Sequence, residues 1–251
     1  MNGDENLSNH VYIITGASSG LGAELTRQLL LEQNTVFCLS RTENDDIKRQ
    51  AVGYRYKFYS IDLSYAERVA LIMQDILATI DPININSITL INNAASVSPI
   101  KDIQYCTQEE IISNVQLNLT TPIILTSNFM RLTSEWKINR RIVNISSASA
   151  QYPAQSMSLY CSTKSALNMF SKCIGLEQDG KPNSVQIFTV DPGMMDTNLQ
   201  HIARTSDFEL SDLFSKHKSE GHLSEPADVA LNLISLIESS VKKNSDIIRL
   251  Y

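Results

Sequence analysis

The chain is poor in the residues that mark the more specialised classes of protein. Its 251 residues hold four cysteines, Cys38, Cys106, Cys161 and Cys173, and no two of them form a CxxC pair. That pattern excludes a secreted disulfide scaffold and suits reduced thiols. The four histidines, His10, His201, His217 and His222, have no zinc-ligand spacing, so no metal is expected. No apolar run approaches the ~18 residues of a membrane helix, and the start, MNGDENLSNH, is acidic and polar, unlike a signal peptide. No membrane partner is expected, and a cytoplasmic location is. Positive charge is also short: 21 Lys and Arg stand against 27 Asp and Glu, and the densest basic group, Lys137–Arg141, is broken by Ile138 and Asn139. A net charge of −6 gives nucleic acid no basic face to bind. Glycine and proline, nine and seven residues, leave no linker or low-complexity tract. A chain this long buries a core without staples.

What is present is alternation. VYIITG from Val11, TVFCLS from Thr35, YRYKFYSID from Tyr54, SITLINNA from Ser87, RRIVNISS from Arg140 and SVQIFTVDPG from Ser184 are rich in β-branched and aromatic residues and end in turn formers. Several are apolar at consecutive positions, as strands covered on both faces are. Helical periodicity fills the intervals at Leu21–Glu32, Ala66–Ile80, Gln108–Thr133, Ser156–Glu177 and Pro226–Ser240. Strand–helix alternation predicts one α/β domain, a doubly wound, mostly parallel sheet with right-handed crossovers. DIIRLY, the last run, is an expected edge strand. Residues 194–224 are polar and irregular, an expected mobile substrate loop with one short helix.

YIITGASSGLGAELTRQLL sets Gly16, Gly20 and Gly22 between a buried-type strand and a helix. Glycines let the backbone turn tightly and approach a pyrophosphate, and the helix start supplies N–H groups and a positive dipole end. A dinucleotide is therefore expected against Gly16, Ser18, Ser19, Gly20, Leu21 and Gly22. The second strand ends CLSRTE, placing Ser40 and Arg41 where NAD sites usually carry a carboxylate. A guanidinium pairs with a 2′-phosphate, so NADP(H) is the expected cofactor.

Tyr160 and Lys164, four residues apart, share a helix face. A free phenol titrates near 10, and moving it to about 7 takes roughly 4 kcal/mol of phenolate stabilisation. A neighbouring ammonium and an oxidised nicotinamide ring are expected to supply it, leaving the phenol to act as general acid on a carbonyl oxygen. Upstream, Ser146 and Ser147 end a strand; alternation turns their side chains opposite ways, so one of them faces the site as an oxyanion donor.

TGASSGLG, NNA at Asn92–Ala94, NISS and YxxxK, in this order over essentially the whole chain, resemble the short-chain dehydrogenase/reductase family. The resemblance implies a single Rossmann-type domain and hydride transfer with NAD(P). It makes Tyr160 the proton donor and Lys164 its partner and a ribose ligand. It selects Ser147, thirteen residues before the tyrosine, as the catalytic serine. Of Asn114 and Asn118 it selects Asn118 as the residue that bends its helix and holds a relay water. It places Asp62 at the adenine, Asn92 and Ala94 near the adenosine ribose, and Pro192, Gly193 and Thr197 around the carboxamide. Ala95 departs from the family's usual glycine.

DPGMMDTNLQHIARTS further resembles the sepiapterin reductases and the bacterial benzil reductases, which reduce ketones flanked by a second carbonyl with NADPH. Sepiapterin reductases hold the pterin through an aspartate near the C-terminus, where this chain has Arg249, with Asp246 three residues earlier. The expected activity is therefore NADPH-dependent reduction of one carbonyl of an aromatic or vicinal diketone to a chiral α-hydroxy ketone. Met157, Tyr152, Met194 and Met195 are expected to line the substrate pocket beside Ser147 and Tyr160, their sulfurs adapting to aromatic shapes. The alternatives are sepiapterin reduction, a general oxoacyl or sugar ketone reduction, and a non-catalytic NADP sensor. The resemblance also implies a homodimer or homotetramer.

Overall fold

Along the first strand, Val11 and Ile13 turn to one face and Tyr12 and Ile14 to the other, and all four are buried. A strand apolar on both faces needs a layer on each, and the helices supply both. In the computed structural model, which describes residues 10–51, 55–239 and 247–250, seven strands form one sheet. They are β1 (His10–Thr15), β2 (Thr35–Ser40), β3 (Tyr56–Ser60), β4 (Ser87–Asn92), β5 (Asn139–Ile145), β6 (Gln186–Asp191) and β7 (Ile247–Arg249). Their order is β3-β2-β1-β4-β5-β6-β7, and each neighbouring pair is parallel. The order reverses beside β1, and in such sheets ligands sit at the carboxyl ends next to that reversal.

On one face, α1 (Gly20–Leu31) and α9 (Pro226–Glu238) bury Leu25, Leu29, Leu233 and Ile237 against Ile14, Val36 and Phe188. On the other, α3 (Ala66–Ala78) and α5 (Thr121–Leu132) bury Met73, Ile76, Leu125 and Phe129 against Ile13, Phe37, Leu90 and Ile187. Ile174 of α6 (Ser158–Gln178) packs against this second cluster. Each fully buried Leu, Ile or Phe stabilises the fold by roughly 1.5–3 kcal/mol relative to exposure. No helix among the described residues is long and apolar enough to cross a membrane.

Several elements differ from expectation. A short helix, α2 (Asp45–Gln50), follows β2, capped by the Asn44 side chain on the N–H groups of Asp46 and Ile47. The single helix expected over Gln108–Thr133 is α4 (Gln108–Val115), a π turn (Gln116–Thr120) and α5. Pro122 accounts for the break: it has no N–H for the Asn118 carbonyl four residues earlier, so that carbonyl leaves the ladder. The irregular 194–224 segment carries two helices, α7 (Asn198–Thr205) and α8 (Ser211–Ser219), closed at its base by a bridge between Met195 and Ser224. Charge hides this order, because Asp196 pairs with Arg204 of α7 and Lys218 of α8 and so ties the polar faces together. Tyr54, Ser240 and Asp246, which belong to the expected elements, and the acidic start over residues 1–9 lie outside the described residues.

Candidate active site

The glycine turn leaves β1 through Gly16 and enters α1 at Gly20, both in the left-handed region at φ 68° and 54°. Gly22 has no room for a side chain: a Cβ there would stand 2.3 Å from the Gly16 carbonyl oxygen and 2.6 Å from Nδ2 of Asn93. Asn93 pins the turn from β4, its amide donating to Thr15 O at 2.9 Å and Gly16 O at 3.2 Å. The N–H groups of Asn93 and Ala94 both donate to Oγ1 of Thr15. Ser19 caps α1 without a side-chain hydrogen bond, and the first turn has no acidic residue, so its N–H groups face an uncapped, electropositive opening. A backbone cradle closed to any Cβ and open to an anion fits a pyrophosphate. Leu21 is buried in the core, so its part in the cradle is its backbone.

Around this turn stand the other expected cofactor residues. Ser18 gives its carbonyl to the Asn44 amide at 2.9 Å, which locks the β2–α2 loop to the turn. The Ser40 hydroxyl donates to Thr42 O at 2.9 Å, and Arg41 is exposed. Glu43, the nearest carboxylate along the chain, is paired with Lys48 at 2.7 Å. Asp62 accepts from the N–H and hydroxyl of Ser64 at 2.9 and 2.7 Å; these bonds, with Arg41 adding to them, hold its carboxyl below the usual range. Asn92 is buried, its amide donating to Asn144, which donates onward to Ser171. Its Oδ1 has no hydrogen-bond partner among the described residues. Pro192 is buried, the Gly193 N–H donates to Asp191, and the Thr197 methyl lies 3.2 Å from where a Gly20 Cβ would sit. The segment after β6 therefore closes over the glycine turn.

Tyr160 and Lys164 project from one face of α6 and are 6% and 2% exposed. Lys164 Nζ donates to Ile145 O, the end of β5, at 2.7 Å and lies 5.7 Å from the Tyr160 ring centroid. Ser147 opens a short turn (Ala148–Ala150), accepts from Ser149 N at 3.2 Å, and lies close enough to the Tyr160 phenol for its side chain to favour the phenolate. Ser146 is buried, with no partner for its hydroxyl among the described residues. Asn118 sits in the π turn with its amide spent on Ser96: Nδ2 donates to Ser96 O, and Oδ1 accepts from Ser96 N, both at 2.8 Å. It also reaches Thr163, beside Lys164, at 3.4 Å.

Without the cofactor, the Tyr160 phenol is shifted upward. Burial pushes the phenol up to about 12; Ser147 opposes this, and Asp191 and Cys161 add to it. Burial likewise pulls Lys164 down to about 8. Burial is the leading cause for both groups in the protein alone, so the phenol is held protonated.

An apolar cluster surrounds Tyr160. Val97 and Met157 are buried with it, and Leu199 and Ile202 of α7 and the tilted ring pair of Phe208 and Phe214 pack around them. Of the residues expected to line a substrate pocket, Met157 packs in this cluster, Tyr152 and Met194 are exposed, and Met195 packs against the α1–α9 core. Leu199, Ile202, Phe208, Phe214 and Asn44 also belong to the site's surroundings, and Asn93 of the NNA motif pins the glycine turn. The spacing of Leu199, Ile202 and Ala203 is a helical signal within that segment.

Residues 10–207 match the family model described as short chain dehydrogenase. The chain belongs to the short-chain dehydrogenase family. It is 39% identical to a benzil reductase ((S)-benzoin forming) of Bacillus cereus over 243 residues, covering 95% of this chain and 98% of that protein. It is 27% identical to a sepiapterin reductase of Xenopus laevis, covering 98% and 97%. The fold superimposes on the KRED1-Pglu enzyme with a TM-score of 0.82 at 22% identity, covering 96% of this chain and all of that one. As a member of the family, the protein is an oxidoreductase that acts on carbonyl or alcohol groups with a nicotinamide cofactor.

Two outcomes test the site's architecture. Gly22→Ala, forced against a backbone oxygen, should lose at least about tenfold in nicotinamide-nucleotide affinity and roughly 1–3 kcal/mol in stability, as read by fluorescence titration and denaturant unfolding. The folded pKa of Lys164, about 8, lies below the 10.5 of an unfolded lysine. Between those values the unfolded chain holds the extra proton, so this group stabilises the fold as pH rises, by about 3 kcal/mol in all. Unfolding wild type and Lys164→Met at pH 8 and about 10.5 should show that increment in the wild type and its loss in the variant.

Proposed function

We propose that the protein is an NADPH-dependent carbonyl reductase that converts one carbonyl of an aromatic or vicinal diketone to an α-hydroxy ketone. The observation that carries this is the buried, protonated phenol of Tyr160, with Ser147 beside it and the apolar groups Val97, Met157, Phe208 and Phe214 packed around it. Such apolar surroundings would exclude water from a ketone held there, with Ser147 and Tyr160 as two hydroxyl donors to its oxygen. The 39% identity to a benzil reductase supports a flat aryl diketone.

The first-turn N–H groups of α1 and the backbone at Gly16 and Gly20 would hold the pyrophosphate, Arg41 the 2′-phosphate and Asp62 the adenine. Asn92, Ala94, Pro192, Gly193 and Thr197 would complete the cofactor site. Bound there, NADPH supplies a hydride. Ser147 donates a hydrogen bond to the substrate oxygen and stabilises the charge that develops on it. Tyr160 passes its phenolic proton to that oxygen, a transfer worth about 10²–10⁴-fold in rate. Lys164, fixed on Ile145 O, holds the ribose and favours the phenolate that remains. Asn118 anchors the Ser96 loop, and the carbonyl freed by Pro122 accepts a water of the relay. The presence of both Tyr160 and Lys164 argues against a non-catalytic sensor, and the lower identity to sepiapterin reductase sets a pterin second. We place the enzyme in the cytoplasm, as a homodimer or homotetramer.

With benzil, reduced-nicotinamide absorbance should fall with NADPH far faster than with NADH; no loss with either cofactor would end the diketone assignment. Tyr160→Phe should lose at least about 10²-fold in kcat while still binding NADPH. Arg41→Ala should raise KM for NADPH about tenfold or more and leave KM for NADH unchanged, the signature of a lost charge-assisted pair.

A further inference from the structure

Arg249 brings the tail of the chain to the rim of the site. β7 lies in register with β6, Arg249 opposite Asp191, and the Leu250 N–H donates to Asp191 O at 3.1 Å. Ile248 packs against the α1–α9 core. Alternation therefore turns Arg249 to the opposite face of the sheet, the one that carries α6 and Tyr160. There its Nη2 donates to Oε1 of Gln151 at 2.5 Å, across 98 residues of sequence. Gln151 closes the short turn that Ser147 opens. The guanidinium is tied to the turn that presents Ser147 to the phenol.

Charge gives this placement a use. Asp191 is buried at the end of β6, close enough to Tyr160 for its charge to act on the phenol. An anionic substrate at Tyr160 would be repelled by that carboxylate. Arg249, at the same register, supplies the opposite sign. It is exposed, and among the described residues no carboxylate forms an ion pair with it. The neutral Gln151 amide orients the group without cancelling its charge. A guanidinium fork matches a carboxylate in shape and donors.

Resting on the reductase assignment above, we propose that Arg249 extends the substrate range to aryl 2-oxo acids by receiving the carboxylate next to the reacting ketone. The aryl group occupies the apolar cluster around Met157 and Phe208, and the ketone oxygen meets Ser147 and Tyr160. The ketone carbon gains a hydride from the reduced nicotinamide, which is oxidised. The oxygen gains the Tyr160 proton, later restored from solvent, and the carboxylate leaves unchanged in a 2-hydroxy acid.

Wild type, Arg249→Ala and Arg249→Lys are to be assayed with NADPH on phenylglyoxylate, its methyl ester and benzil. Phenylglyoxylate binding to the NADP⁺-saturated proteins is titrated by calorimetry. Arg249→Ala should raise KM and Kd for phenylglyoxylate about tenfold or more, with kcat little changed. Benzil and the ester should shift less than about twofold, and Arg249→Lys should keep part of the affinity. Wild type that reduces benzil but not phenylglyoxylate, or an alanine variant that weakens all three substrates alike, overturns the proposal. Inactivity on benzil, the ester and phenylglyoxylate alike would instead overturn the reductase assignment, and this inference with it.

Discussion

Everything in the site depends on the removal of water from Tyr160 and Lys164. A phenol and an ammonium four residues apart on an exposed helix would titrate as they do in solution. Packed at the carboxyl ends of the strands, both are pushed toward their neutral forms, the tyrosine up to about 12 and the lysine down to about 8. The Ile145 carbonyl gives the ammonium one strong hydrogen bond, too little to restore its ordinary titration. The phenol is therefore a proton donor at rest, and a positive charge arriving beside it would favour proton release. Lys164 is thus poised to act when the cofactor is present, and it does not acidify the tyrosine in the protein alone.

The scaffold holds this arrangement with a small number of polar ties between neighbouring strand ends. Thr15 receives the N–H groups of Asn93 and Ala94, and Asn93 returns its amide to the glycine turn. Asn92, Asn144 and Ser171 link β4, β5 and α6 below the catalytic groups. Asn118 clamps both polar groups of the Ser96 backbone and touches Thr163. Thr15, Asn92, Asn93 and Asn144 sit at or beside strand ends, and Ser171 and Asn118 meet them or the Ser96 loop from the helices, so together they set distances between elements that apolar packing alone leaves loose. The α7–α8 segment is held differently, by the Asp196 charge cluster outside and the phenylalanine pair inside.

Much of this was legible in the sequence. The first six strands announce themselves by β-branched runs ending in turn residues, and the glycine turn, Ser147, Tyr160 and Lys164 by order and spacing. What stayed hidden depends on tertiary context. The Asp45–Gln50 helix is too short and too polar to show a period. The π turn needs Pro122 to be read against the carbonyl four residues before it. The helices of 194–224 look like loop because their charged faces pair with each other. Met195 looks like pocket by its position and type, yet the parallel bridge to Ser224 turns it onto the core. The direction of the Tyr160 shift depends on burial depth, which a four-residue spacing does not encode.

The central claim is most directly tested by titrating the Tyr160 phenol itself. Ultraviolet difference titration of wild type against Tyr160→Phe, with and without NADP⁺, isolates this one group. The account predicts a phenol that ionises near 12 in the free protein and at lower pH once the oxidised cofactor is bound. A phenol titrating at or below the ordinary value of about 10 in the free protein would contradict it.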